Sequence, residues 1–124
     1  SALPALWNRK MEDYLGVKPP NDAQGVLQDI HWSMGAFGYF PTYTLGNMYA
    51  AQLFNAARKD IADFDGKLER GEFQPLREWL RENVHRHGMR YRSEELCRKA
   101  TGEALNAKHF TGYLTSKFSE IYKI

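Results

Sequence analysis

Three features of the 124-residue sequence predict an all-α fold. Apolar residues return at three- and four-residue steps, prolines and glycines stand where such runs should start and stop, and no stretch alternates long enough to read as a strand. The elements amount to a bundle of about six helices with short connections, in a single domain over residues 1–124.

The first run is Leu3, Leu6, Trp7, Met11, Tyr14 and Leu15, with Pro4 early and Gly16 just after it, which predicts an amphipathic helix over 3–15. Lys18-Pro19-Pro20-Asn21 cannot continue it, because proline lacks the N–H donor and restricts its predecessor. Asp22 then offers a cap for a short helical turn into Gly25. Pro41 pre-sets the first turn of a long helix over about 40–62, whose broad apolar face and alanine pairs predict a central, mostly buried element. Within it Gly46 would cost about 1 kcal/mol relative to alanine, so a close packing contact is the expected reason for its presence. A short helix follows over 64–71, closed by Gly71, and another runs from Pro75 to a stop at Gly88. Ser93 is the expected N-cap of 94–101, which Gly102 ends, and Asn106 that of a last helix carrying Phe110, Tyr113, Leu114, Phe118 and Ile121.

Composition narrows the class. Hydrophobic residues at 43% and charged residues at 26% are ordinary globular usage, which argues against disorder. A net charge of +2 does not by itself call for nucleic acid, and nucleic acid is not the expected partner. The single Cys97 excludes an internal disulfide and fits a reducing compartment; with no long apolar run and no leader pattern, a cytoplasmic location and no membrane partner are expected.

The most unusual stretch is Gly25 to Gly46, which holds four of the ten glycines and mixes Gln28, Asp29, His31, Tyr39 and Tyr43 with Trp32, Met34, Phe37 and Phe40. Polar groups among aromatics must find hydrogen-bond partners if buried, and the mixture reads as the wall of a pocket, with Asp29-Ile30-His31-Trp32 looking buried.

The same stretch resembles a known family. Gly25, Gln28, Asp29, His31 and Trp32 meet the Gly-x-x-Gln-Asp-x-His-Trp motif of the carboxypeptidase Taq family of zinc metallocarboxypeptidases, and Phe37 to Phe54, Pro75 to Tyr91 and Thr101 to Leu114 extend the likeness along the chain. The family's zinc helix carries HExxH, which appears nowhere here: none of His31, His85, His87 and His109 has the required neighbours. The chain therefore resembles a C-terminal segment of a longer, mostly helical enzyme, and a start at Ser1-Ala2 without methionine, such as a tag remnant leaves, fits a truncated piece. The resemblance implies zinc or another divalent metal in the full-length enzyme with no metal ligand from this segment. It also implies a peptide substrate with a free C-terminus, the missing N-terminal part as a partner, and a homodimer.

For the candidate residues, each functional role stands beside a plainer one. By its residues alone His31 reads first as a core histidine satisfied by backbone or by Asp29; the resemblance makes it a candidate donor to the carbonyl oxygen as that oxygen becomes an oxyanion. Tyr43 is the candidate second donor and Tyr39 a substrate contact, and the two would share a helix face if the long helix started early enough. Both also suit ordinary core aromatics. Gln28 is a candidate for binding the peptide backbone, and Asp29 for the substrate site through fixing the His31 tautomer, with turn capping as the alternative for Asp29.

Arg77, Arg81, His85, Arg86, His87, Arg90 and Arg92 form the one basic concentration, which reads as a solvated helix face interleaved with Glu78 and Glu82. Carboxylate or phosphate binding are its functional alternatives. The leading function is thus the cleft wall of a metallocarboxypeptidase, inactive alone. The alternative is a stand-alone helical module that binds a protein or nucleic-acid partner.

Overall fold

The computed structural model describes residues 2–124; Ser1, read above as a sign of truncation, lies outside them. The described residues form seven α-helices and three 3-10 turns, without strands, in two compact units, Ser1–Phe40 and Pro41–Ile124. The helix absent from the sequence reading is the four-residue Ile30–Ser33, too short for periodicity to reveal.

In the first unit α1 spans Leu3–Leu15, with Pro4 in its first turn, and stops at Gly16, whose φ of 65° lets its N–H turn back to the Glu12 carbonyl at 3.0 Å. Two 3-10 turns follow, Asp22–Gln24 and Val26–Gln28. Asn21, not Asp22, caps the first: it is extended, so its Oδ1 accepts from the Gln24 N–H at 2.9 Å, while Asp22 is already inside the turn. Gly25 is dictated by space, since a Cβ there would lie 2.9 Å from that of Pro19. Val26 is buried beside it, and α2 covers Ile30–Ser33.

The second unit holds α3 (Pro41–Asp60), α4 (Phe64–Glu69), α5 (Gln74–Asn83), a 3-10 turn (His85–His87), α6 (Ser93–Thr101) and α7 (Lys108–Tyr122). Its core is Ala57, Phe64 and Trp79, with Leu53, Ile61, Leu68, Leu76 and Leu80 packed around them. The Trp79 indole N–H donates to Asp60 Oδ2 at 2.8 Å, so the polar atom of that large side chain is satisfied as its rings are buried. The N-cap of the last helix is Ala107, not Asn106, which stands one residue earlier and accepts from the Lys108 N–H at 3.0 Å, and α6 begins at Ser93 itself with Arg92 extended before it.

Two expectations for α3 fail. It is not mostly buried: Gln52 and Ala57 are its buried residues, while Tyr43 and Leu45 in its first turns and Phe54 further along are 52%, 42% and 41% exposed, because the helices packed on it leave much of its surface open to solvent. Nor does Gly46 mark a close contact, since a Cβ there would meet nothing within 4 Å.

Candidate functional site

Asp29 organises the candidate site in the first unit. As the N-cap of α2 its Oδ1 accepts from the His31 backbone N–H at 2.9 Å, and the same oxygen lies 2.9 Å from His31 Nδ1. A carboxylate can only accept, so this bond places a proton on Nδ1 and turns Nε2 away from Asp29. The Asp29 side chain is 7% exposed and that of His31 22%, so the pair is sheltered even though Ile30 between them is 65% exposed. The buried look of the whole run is therefore corrected: Asp29, His31 and Trp32 are half-buried and Ile30 is exposed. A four-residue helix can hide one edge and leaves the other in solvent.

The chain then reverses. The Ala36 N–H donates to the His31 carbonyl at 2.8 Å, and Gly35 and Gly38 sit at φ 74° and 73°, a region that side chains disfavour. The reversal carries Tyr39 and Phe40 back onto the imidazole: the Tyr39 ring lies 18° from parallel at 5.5 Å between centroids, and Phe40 stands edge-on at 82° and 5.0 Å. Trp32, next to His31, packs edge-on against Trp7 at 5.5 Å and stacks on Phe37 at 6.1 Å, which ties α2 to α1.

Of the sequence-predicted residues, Asp29, His31 and Tyr39 come together. The Gln28 side-chain amide donates to the Ala23 carbonyl, holding the preceding turn. Tyr43 lies in the first turn of α3, in the second unit. The helical face it was to share with Tyr39 does not form, because α3 starts at Pro41 and the residue before a proline is steered out of helix, leaving Tyr39 outside. Phe40 was not singled out; its position after two glycines was the available signal.

A second polar cluster, unrecognised in the sequence, lies in the second unit. Gln52, 1% exposed, donates to Thr101 Oγ1 at 2.9 Å and to the Ala104 carbonyl at 3.0 Å, and accepts from the Asn106 N–H at 2.9 Å. Next to it His109 Nε2 lies 2.7 Å from Glu103 Oε1, and Asn55 Nδ2 lies 3.1 Å from His109 Nδ1. Hydrogen bonds from His109 and Lys108 pull the Glu103 carboxyl down to about 2. Cys97 is a core residue at 2% exposure, and burial pushes its thiol up, away from reactivity. The basic residues keep to the surface, with Arg86 paired to Glu82. Among the described residues no three His, Cys, Asp or Glu side chains converge as a metal site, and no helix is long and apolar enough to cross a membrane.

Comparison with known proteins gives this geometry its context. Residues 1–118 match the family model for carboxypeptidase Taq (M32) metallopeptidase. Carboxypeptidase 1 of Bacillus subtilis is 52% identical over 97% of this chain and 24% of its own length. Thermostable carboxypeptidase 1 of Thermus thermophilus is 47% identical over 97% of this chain and 24% of its own. Among solved structures, the M32 carboxypeptidase of Deinococcus radiodurans superposes with a TM-score of 0.94 at 40% identity, over 99% of this chain and 25% of that one. Pyrococcus furiosus carboxypeptidase gives 0.88 at 46% identity, over 94% of this chain and 23% of that one. The chain thus spans about a quarter of the length of the relatives it matches. By the match over nearly all its residues, this chain belongs to the carboxypeptidase Taq (M32) metallopeptidase family.

Proposed function

We infer that the chain is the C-terminal segment of a metallocarboxypeptidase and supplies part of the wall of its substrate cleft. The observation that carries this reading is the Asp29–His31 pair, sheltered and hydrogen-bonded at 2.9 Å, inside a segment matched to the family. Hydrolysis of a C-terminal peptide bond puts negative charge on the scissile carbonyl oxygen. Donors already aimed at that oxygen stabilise the charge without having to reorganise. His31 serves as one such donor through Nε2 when its ring is protonated, a form whose charge Asp29 offsets. The Tyr43 hydroxyl serves as a second, and a phenol suits that task because it is neutral near pH 7 and donates one hydrogen bond. Tyr39, Gln28 and Asp29 line the substrate side, with Gln28 and Asp29 acting through the turn and the histidine they hold.

The metal that the family description implies does not fit the residues present, which offer no converging ligand set among those described. Zinc or another divalent cation is accordingly assigned to the rest of the polypeptide, and the segment alone is inactive. The remaining part of the enzyme covers apolar surface exposed here, such as Phe54 and Tyr113 at 41% and 53% beside a groove between α3 and α7. The whole enzyme is a cytoplasmic homodimer that acts on peptides with a free C-terminus.

The test is release of the last residue from a short, N-terminally blocked peptide by the longer polypeptide that carries this segment. His31→Ala should lower kcat roughly 10²-fold, with Tyr43→Phe lowering it in the same direction. Cleavage at the unaltered rate by both variants would remove the segment from the chemistry, and cleavage by the 124-residue chain alone would overturn its assignment as a partial site.

A further inference from the structure

We propose that the groove between α3 and α7 is the seat of one apolar helix, supplied by the part of the longer polypeptide that lies N-terminal to this chain. The proposal deepens the reading given above and rests on it in one respect, that the chain is a segment of a longer enzyme. About three quarters of the length of the matched relatives lies outside this chain, so the occupant belongs to the same molecule. A covalently linked occupant meets the groove at high effective concentration, ahead of a second copy.

The lining selects the chemistry of that occupant. The groove encloses about 380 Å³ between Ala50, Ala51 and Phe54 of α3 and Phe110 and Tyr113 of α7, and the rest of its lining is asparagine. With no charged side chain there, an acidic or basic peptide or a phosphate backbone finds no counter-charge. The alanines let a neighbouring backbone come close and the rings supply apolar area, which suits the ridge of a packed helix. Gly46 lies one turn before Ala50 on the same face of α3, and a Cβ there would meet nothing within 4 Å. Glycine is disfavoured inside a helix, and no contact within this chain accounts for it.

The apolar edge also outruns the groove. Phe118 and Ile121, about two and three turns beyond Phe110 along α7, are 40% and 56% exposed. From Phe110 to Ile121 the edge measures roughly 16 Å, the length of about three helical turns. A small ligand is held where polar groups converge on a concave pocket, whereas this edge offers extended area.

The experiment is thiol labelling with a small water-soluble maleimide. Cys97 is the single cysteine and is 2% exposed, so a cysteine placed in the groove reports alone, and the unaltered polypeptide serves as the blank. In the 124-residue chain Ala50→Cys should label within about tenfold of its urea-unfolded rate. In the longer polypeptide Ala50→Cys and Ala51→Cys should each label roughly 10²-fold more slowly or less, because reaction then waits for a local opening. Equal rates in the two chains overturn the proposal. Protection that appears in the 124-residue chain as its concentration rises overturns it in favour of a second copy, and protection of the longer polypeptide only on adding a blocked peptide overturns it in favour of a substrate site. Activity separates this proposal from the cleft reading. A protected groove in a polypeptide that His31→Ala leaves fully active keeps the seat and removes the cleft role; an open groove in one that His31→Ala inactivates keeps the cleft role and overturns the seat.

Discussion

In the second unit the most buried polar side chain, Gln52, bonds to groups 49 to 54 residues away along the chain, whereas in the first unit Asp29 reaches only two residues, to His31. The first arrangement joins α3 to the loop between α6 and α7 and so fixes a tertiary fold. The second, between Asp29 and His31, spans two residues and sets which ring nitrogen carries the proton. A buried network of long reach holds the fold together, and the short, sheltered pair in the family-matched motif is the one we propose for function. The comparison can be broken by substitution on each side of it.

The largest effect should come from the tryptophans. Trp79→Ala empties the centre of the second unit's core and frees Asp60, and should cost about 4 kcal/mol. Trp32→Ala, in a partly exposed ring stack, should cost about half as much or less. Urea unfolding followed by circular dichroism measures both. Equal losses would mean that the first unit is as tightly held as the second.

Next come two glutamines, one from each unit. Gln52→Leu keeps the volume but strips partners from the Asn106 N–H, the Thr101 hydroxyl and the Ala104 carbonyl, and should destabilise by about 3 kcal/mol. Gln28→Ala loses one exposed bond to Ala23 and should change stability by under about 0.5 kcal/mol. If Gln52→Leu proves neutral, the buried network is not what holds α3 to the loop.

A pH series sharpens the same point. The Glu103 carboxyl is lowered from 4.5 to about 2 in the folded chain, so the unfolded chain binds the extra proton as pH falls. The stabilisation is therefore fully present above the unfolded value and disappears as pH drops from about 4.5 through about 2. Glu103→Gln should be less stable than the parent near neutrality, and its disadvantage should shrink across that window. A constant difference throughout would show that the Glu103 carboxyl is not lowered by folding, and that its bonds to His109 and Lys108 do not favour the charged form.

What could be read in advance divides along physical lines. Starts and stops were legible because proline and glycine act locally: Pro4, Gly16, Pro41, Gly71 and Gly102 all punctuate helices as their chemistry requires. The Asp29–His31 contact was also legible, being a cap and a ring bond across two residues. Gln52 was not. On α3 it sits at a position of the apolar stripe, and nothing local discloses that a loop some fifty residues later will present it with two acceptors and a donor. Nor could spacing place Tyr39, whose stack on His31 depends on the turn between Gly35 and Gly38 and not on a helical period.

Gly46 brings the smallest expected effect and the finest distinction. Helical glycine is disfavoured because it has more backbone freedom to lose, and here a Cβ would meet nothing within 4 Å. Gly46→Ala should therefore stabilise the 124-residue chain by about 1 kcal/mol or slightly less, measured by the denaturation midpoint at constant slope. In the longer polypeptide, where the remaining chain is proposed to cover the exposed turns of α3, the same methyl group meets whatever packs there. A gain in the short chain that turns into a loss in the long one would identify Gly46 as a contact point for the rest of the enzyme. A gain in both would leave the first turns of α3 as a solvent-facing helix, and the glycine without a packing role.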